Sequence, residues 1–318
     1  MKKKKTYLVT GGTGFIGSNI VKMLIKNKQK VKVFDNNSRG QLEKLKLFKN
    51  KFDFIKGDIR NKNQVNKAFK NIDVVIHLAY VNGTKYFYKH PVKILDIAVN
   101  GILNVFQSCI KNKVKEIYLA SSSEVYQTPF KIPTDEREML KIPDIYNPRY
   151  SYGGGKILTE LMGIHYGKKF FKKLIIFRPH NVYGPNMGNE HVVPEFINRF
   201  KKLKGNIFKI QGSGKEIRSF IYIDDFIDAF ELLLKKGKHL QIYNIGTSEK
   251  LTITNLVKIL SKLLKKHITI KKTKLQKGGT KKRLPDIRII KKLGFEQKFK
   301  INEGLKKTIN FYFKDEIF

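Results

Sequence analysis

The stretch Thr10-Gly11-Gly12-Thr13-Gly14-Phe15-Ile16-Gly17 constrains this chain more than any other. A β-branched and aromatic run, Thr6-Tyr7-Leu8-Val9, leads into it, and an apolar pattern of helical period follows. Strand, glycine turn, helix is the order that holds a dinucleotide pyrophosphate. Gly11 permits a tight turn, Gly14 lets phosphates reach backbone N–H groups at a helix N-terminus, and Gly17 lets that helix lie close to the sheet. Taken alone, the glycines fit a turn without a ligand equally well, so the rest of the chain has to decide.

Val31-Lys32-Val33-Phe34-Asp35 reads as a second strand. Asp35 ends it, close to where an acid accepts from the adenosine ribose hydroxyls; a carboxylate there repels a 2′-phosphate and favours NAD over NADP. Phe52 to Lys56 is a third strand, followed by Gly57-Asp58-Ile59, where Asp58 by itself reads as a helix N-cap. Asp73-Val74-Val75-Ile76-His77-Leu78-Ala79 is apolar throughout, as in a parallel strand buried on both faces, with His77 a packed strand residue. Residues 91–111 carry apolar positions on more than one helical stripe, the pattern of a helix covered on two sides. Lys115 to Ala120 is a fifth strand that delivers Ser121-Ser122-Ser123-Glu124-Val125-Tyr126. A proline-marked loop over 127–149, a helix opened by Tyr150 and a sixth strand, Leu174 to Arg178, come next. This alternation predicts an α/β fold, a doubly wound parallel (Rossmann) sheet. Residues 1–180 form the NAD-binding domain in this reading. Residues 181–318 form mainly a smaller substrate-binding lobe, with some elements returning to the sheet from about 215–250.

The 318 residues are 41% hydrophobic, enough for a core, and no continuous apolar run approaches the length of a membrane span. Met1-Lys2-Lys3-Lys4-Lys5 imitates a signal-peptide start, but only four apolar-leaning residues separate it from the glycine turn. With one unpartnered cysteine, Cys109, this predicts a cytoplasmic protein without a membrane partner. The net charge of +39 raises nucleic acid as a partner. The lysines are scattered from end to end without a patch or aromatic interleaving, so no specific nucleic-acid binding is expected. Only nine of the 65 basic residues are arginines. Arginine positions therefore carry information, because its planar fork suits two-pronged anion recognition.

Tyr152-Gly153-Gly154-Gly155-Lys156 sets a phenol and an ammonium four residues apart on one helical face. A nearby ammonium favours phenolate and draws the phenol toward useful acid–base chemistry. In so lysine-rich a chain the pair says little alone. The three glycines between its members say more: they cost a helix up to about 1 kcal/mol each relative to alanine, which points to close backbone approach.

The glycine turn, the serine-rich strand end, the Tyr/Lys pair and Arg178-Pro179-His180-Asn181-Val182-Tyr183-Gly184-Pro185 together resemble the extended short-chain dehydrogenase/reductase superfamily, in its NAD-dependent nucleotide-sugar epimerase/dehydratase family. The resemblance implies tightly held NAD, bound by Gly11, Gly14, Phe15, Ile16, Gly17, Asp35, Asn36, Asp58 (at the adenine edge), Ile59, Leu78, Ala79, Asn100 (a polar residue kept inside its helix), Tyr152, Lys156 and Pro179. It implies a nucleotide-diphosphate sugar as substrate. Tyr152 is then the acid/base on the sugar C4 hydroxyl, Lys156 holds the nicotinamide ribose and tunes Tyr152, and Ser122 hydrogen-bonds the same oxygen, with Ser123 beside it. Asn181, Arg218 and Arg283 fall on the family's diphosphate positions. The resemblance also implies a homodimer through helices 91–111 and 150–171.

Formation of a transient 4-ketone opens three reactions: epimerisation, 4,6-dehydration and decarboxylation. Glu124 stands where the family's dehydratases carry their C5 base, and family decarboxylases share it. The segment around Tyr126 resembles the broad epimerase-type members, so the resemblance favours an epimerase. A dehydratase or decarboxylase using Glu124 is the alternative, and a non-catalytic nucleic-acid-binding relative a remote one. Two departures stand out. Gln127 replaces the usual glycine after Tyr126, implying a different loop course. The loop Tyr80-Val81-Asn82-Gly83-Thr84-Lys85-Tyr86-Phe87-Tyr88 is unusually aromatic beside the expected sugar site, implying an unusual sugar.

Overall fold

The computed structural model describes residues 4–274 and 278–313. The chain divides into two compact units. The first comprises Met1–Val125, Leu140–Arg178 and Phe230–Tyr243; the second comprises Tyr126–Met139, Pro179–Ala229 and Asn244–Phe318.

In the first unit, β1 (Thr6–Thr10) leads through the glycine turn into α1 (Phe15–Lys26), then β2 (Lys30–Asp35) and β3 (Asp53–Lys56). A short α2 (Lys62–Ala68) precedes β4 (Val74–His77). After α3 (Thr84–Lys89), one helical run contains α4 (Pro91–Asp96), a π-helical turn over Ile97–Gly101 and α5 (Ile102–Lys111). β5 (Glu116–Ala120), the 21-residue α6 (Tyr150–Phe170) and β6 (Lys173–Pro179) follow. Ile242–Ile245 completes a seven-stranded sheet with β6 as its neighbour, and the order continues β5, β4, β1, β2, β3. The pairings β1·β2, β2·β3, β1·β4, β4·β5 and β5·β6 are all parallel. β4 is buried at every position, as its unbroken Val-Val-Ile-His sequence requires of a central parallel strand.

From β1 the chain winds outward to β2 and β3, then returns to β4 and winds the other way. The reversal falls between β1 and β4, whose carboxyl ends therefore border the crevice in which open α/β sheets bind ligands. Thr10 closes β1 and His77 closes β4, and Thr10 Oγ1 lies 2.8 Å from His77 Nδ1 across that point.

The run Pro91–Lys111 is long and apolar enough to cross a membrane by length and composition, yet 56% of its apolar window is buried inside the fold. Its buried side, including Ile94, Ile102, Val105, Phe106 and Cys109, joins the main core cluster. Val92, Leu95 and Val99 on the same run remain exposed, as does Leu161 on α6. Residues 91–111 are thus covered on one apolar side, and the second apolar side, expected to be covered as well, is exposed in the single chain.

The second unit contains three small sheets. Val182–Tyr183 pairs with Ile221–Tyr222, and Ile207–Gln211 pairs with Thr269–Thr273. Leu251–Thr252, Ile217–Arg218 and Lys282–Arg283 form the third. Phe208 stacks on Phe200 at 4.4 Å and meets Phe196 edge-on at 5.4 Å, building a local core from aromatic rings. Asn244 is fully buried: Tyr126 donates its hydroxyl to Asn244 Oδ1 at 2.8 Å, and Asn244 Nδ2 donates to the carbonyls of Thr134 and Asp286.

Candidate active site

The glycine turn is built for close approach. Gly11 has φ +71°, and a Cβ there would stand 2.7 Å from the Ala79 backbone nitrogen; a Cβ on Gly17 would stand 2.8 Å from Gly12 Cα. Neither position admits a side chain. Gly14 is the N-cap of α1 with no side-chain cap, and the first turn of α1 holds no acidic residue. Its N–H groups are therefore left for an anion. Phe15 and Ile16 open that helix, half-buried.

Asp35 is buried at the end of β2 and accepts from the Thr13 backbone N–H at 3.0 Å and the Asn37 N–H at 2.8 Å. These two bonds tie the ribose-side acid to the glycine turn and leave lone pairs on both oxygens. Asp58 is placed differently from a residue awaiting a base edge. Arg60 donates to both of its oxygens through Nε at 3.1 Å and Nη2 at 2.8 Å, and Asn36 Nδ2 donates to one of them at 3.0 Å. The Arg60 guanidinium holds the Asp58 carboxyl down at about 2. Asp58 is not the N-cap either: Asn61 caps α2, accepting from the N–H groups of Asn63 and Gln64. Ile59 beside it is buried.

Asn100 requires a correction. It is exposed, and its amide donates to Asp96 at 2.7 Å, one turn back on its own helix. A buried asparagine of this helix is Asn104, whose Nδ2 donates to the carbonyls of Ile59 at 3.0 Å and Arg60 at 2.9 Å.

Leu78 and Ala79 follow β4 and hold their N–H groups toward Thr10 Oγ1 at 3.2 and 3.3 Å. His77 is fully enclosed. Burial, reinforced by the Lys156 charge, pushes its imidazole down to about 3, so it is neutral and structural. Pro179 ends β6.

β5 delivers Ser121, Ser122 and Ser123 buried at its carboxyl end. Ser122 Oγ accepts from the Glu124 N–H at 3.1 Å, shaping the short turn over Ser123–Tyr126 while keeping its own hydrogen to donate. Glu124 Oε2 stands 3.7 Å from Arg149 Nη2, and both side chains are largely buried. Tyr152 and Lys156 lie buried on α6, and Lys156 Nζ donates to the Ala120 carbonyl at 2.8 Å. Burial pushes the Lys156 amine down to about 7, against an upward pull from Glu160. The ammonium that the sequence assigns to tuning Tyr152 is thus itself poised near neutrality.

Sequence reasoning missed the supports of this pair. Ser121 Oγ donates to Glu160, and Arg178 grips the same carboxylate through Nε at 2.8 Å and Nη2 at 2.5 Å, with Arg178 and Glu160 both buried. Glu160 follows Lys156 by one helical turn, the signal that pointed to it. The aromatic loop after β4 packs on Tyr152: Phe87 stacks on it at 4.6 Å, and Tyr80 meets it edge-on at 5.2 Å. Gln127 holds φ +49°, in the left-handed region a glycine would favour, so the residue differs but the turn keeps a glycine-like conformation.

In the second unit, Asn181 takes φ +38° and donates one amide hydrogen to the Ser219 carbonyl at 2.7 Å, leaving the other available by valence. Arg218 and Arg283 are Cα partners on neighbouring parallel strands. Their Nη2 groups converge on Thr280, at its carbonyl (2.7 Å) and its hydroxyl (2.9 Å). Two adjacent guanidiniums, one of them buried, form a donor set suited to phosphate oxygens. Among the described residues, no group of histidine, cysteine, aspartate and glutamate could hold a metal.

Residues 7–246 match the model of the NAD dependent epimerase/dehydratase family. The chain belongs to that family. Its cofactor is NAD, and the uncapped α1 N-terminus, the Gly11 cradle and Asp35 fit that group. A UDP-glucuronic acid decarboxylase of Arabidopsis thaliana is 32% identical over 304 residues, 94% of this chain and 86% of that protein. The structure of a UDP-glucose 4-epimerase from Thermotoga maritima superposes with a TM-score of 0.88 at 30% identity, covering 97% of this chain and 99% of that one. A trifunctional UDP-glucose 4,6-dehydratase, 3,5-epimerase and reductase of Arabidopsis thaliana is 28% identical over 320 residues. The chain spans about half the length of that last relative, 47%. Family membership makes this an enzyme of the epimerase, dehydratase and decarboxylase group.

Proposed function

We propose that the protein is a nucleotide-sugar epimerase that works through a transient 4-keto sugar. The observation that carries this reading is that Lys156, one helical turn after Tyr152 on α6, donates to Ala120 at the carboxyl end of β5, the residue that leads into Ser121–Ser123, in the same unit as the glycine turn. When bound, NAD supplies the two-electron exchange between the sugar's C4 carbinol and ketone. Tyr152 takes the C4 hydroxyl proton and returns it, Ser122 donates to the same oxygen, and Lys156 in its ammonium form favours the phenolate. Asn181, Arg218 and Arg283 are assigned to the diphosphate. The similarity to a UDP-glucose 4-epimerase at 30% identity over nearly both whole chains supports epimerisation. The exposed Val92, Leu95, Val99 and Leu161 are assigned to a homodimer face.

A second reading is favoured by the Glu124–Arg149 pair. A carboxyl side chain at this place is the residue type that a base at C5 needs for dehydration, and Arg149 holds it in position. The similarity to a UDP-glucuronic acid decarboxylase leans toward loss of a C6 carboxylate instead.

Mass spectrometry of products separates these outcomes, with UDP-glucose, UDP-galactose, UDP-N-acetylglucosamine and UDP-glucuronate as substrates. Epimerisation gives unchanged mass and altered retention. A product lighter by water or carbon dioxide replaces the first reading with the second. Tyr152→Phe should abolish either conversion by a factor of about 10² or more while NAD still binds. A Tyr152→Phe protein as active as the parent would overturn both readings.

A further inference from the structure

Tyr80 directly follows the β4–Leu78–Ala79 edge of the crevice, and its ring lies against both members of the Tyr152–Lys156 pair. Lys156 Nζ sits 3.9 Å from the centre of the Tyr80 ring, over its face. The edge contact with Tyr152 is nearly perpendicular, at 88°. The Tyr80 hydroxyl is buried and has no hydrogen-bond partner among the described residues. It fills a notch on α6 that exists because residue 155 is glycine. A Cβ at Gly155 would overlap the hydroxyl oxygen and stand 2.7 Å from the Ala98 Cβ in the π turn. Gly155, the π turn and the aromatic loop thus accommodate one ring.

The surroundings of the ammonium explain what that ring is for. Lys156 is 2% exposed, and its one hydrogen bond among the described residues goes to a neutral carbonyl, that of Ala120. Among the described residues, no carboxylate lies within ion-pair distance of it. Glu160, the nearest balancing anion on α6, is occupied by Arg178. From β4, His77 faces Lys156 as a neutral imidazole, and from α6 itself Tyr152 adds a phenol. The remaining group able to stabilise the positive charge directly is the electron-rich face of Tyr80, and such contacts are strongest where water is excluded.

We propose that Tyr80 is a positioning residue for the catalytic pair: its ring face holds the Lys156 ammonium charged and in place, and its edge fixes the Tyr152 ring. The aromatic character of this loop then serves the pair, and it need not report an unusual sugar. The assignment of Tyr152 and Lys156 as the catalytic pair rests on the proposed function; the contact between Tyr80 and Lys156 does not.

The test reads the lysine directly, in the protein without substrate. Lysine labelled with ¹³C at Cε is titrated by NMR, with Lys156→Met identifying the signal of Lys156. The parent should titrate near neutrality, and Tyr80→Phe, which keeps the ring face, should titrate with it. Tyr80→Leu should lower the ammonium-to-amine ratio at a given pH about tenfold. Pentafluorophenylalanine at position 80 keeps the ring's shape and removes its negative face, so it covers the case in which the leucine variant does not fold. It should shift the ratio in the same direction as Tyr80→Leu. If it leaves the Lys156 titration where Tyr80→Phe puts it, the proposal is overturned. In active protein the basic limb of the kcat profile should move to lower pH with the same variants, and Tyr80→Phe should restore it. A shifted titration with no turnover of any nucleotide sugar would leave the proposal standing and remove the proposed function.

Discussion

Arg218 and Arg283 face each other as direct partners on adjacent parallel strands, with both guanidiniums bound to Thr280. Like charges in register across a sheet are unfavourable unless something anionic lies between or over them. The pair is therefore expected to be worth more to binding than to folding. Arg218→Met should weaken UDP binding about tenfold or more and weaken UMP binding less, because the second phosphate is the one a fork engages. Unfolding by urea should change little, since removing one of two like charges offsets the two backbone hydrogen bonds lost. Calorimetric titration with the two nucleotides checks this; equal losses for UDP and UMP would move the pair away from the diphosphate.

Glu160 and Arg178 make the opposite kind of pair, buried and mutually satisfied. Removing one partner strands a charge in the interior, at a cost of about 3–5 kcal/mol. Glu160→Gln and Arg178→Met should each lower urea stability by that order, and the double variant should be less damaged than the sum. Glu160→Gln should also depress the Lys156 amine further, because Glu160 is the group that pulls it up. Additive losses would show that the two residues do not act as a unit.

The sheet and the crevice were legible because each is written locally. Unbroken apolar runs of strand length mark buried parallel strands, and a glycine turn between strand and helix marks the pyrophosphate end. Pairings distant in sequence were not legible. Nothing near Glu160 announces that Arg178, on the next strand, will grip it. Tyr80, 72 residues before Tyr152, cannot be paired with it by periodicity. The Asn100 expectation rested on resemblance alone; Asn104, one turn on, is the asparagine whose amide the fold buries, against two carbonyls. The three glycines in Tyr152–Lys156 read as a demand for close approach; Gly155 is where it is met, by a tyrosine hydroxyl and an alanine methyl from two other segments, whereas Gly154 meets only the Ile142 side chain.

His77 gives the fold an acid sensitivity with a defined window. Its imidazole is held neutral down to about 3, whereas the unfolded chain takes up a proton near 6.5. Between those values the unfolded state binds the extra proton, so stability falls as pH is lowered through the window. The slope is about 1.4 kcal/mol per pH unit for this single site. Asp58, depressed to about 2, acts below this window, but Asp225, raised by burial, and Glu216 and Glu231, lowered by their hydrogen bonds, reach into its acid end, so the histidine is read as the difference between parent and variant from pH 6 to 5. His77→Asn should start less stable because of lost packing, yet show a flatter pH dependence there. Parallel curves for parent and variant, from urea midpoints at several pH values, would count against a buried neutral His77.

Adjacent glycines on α6 are expected to respond in opposite directions to the same substitution. A Cβ at residue 154 would meet only the Ile142 side chain, its nearest atom at 3.0 Å, and Ile142 is partly exposed and free to give way. Gly154→Ala should therefore gain up to about 1 kcal/mol of helix propensity, reduced by the small displacement of Ile142. At residue 155 the added methyl collides with the Tyr80 hydroxyl and the Ala98 methyl, neither of which has room to move. Gly155→Ala should lose about 1–3 kcal/mol by overpacking, despite the same propensity gain. Combining it with Tyr80→Phe removes one of the two obstacles and should recover part of the loss. Thermal melts of the four proteins test this as a cycle. A Gly155→Ala protein as stable as Gly154→Ala would mean that the ring of Tyr80 is not seated against this helix in solution.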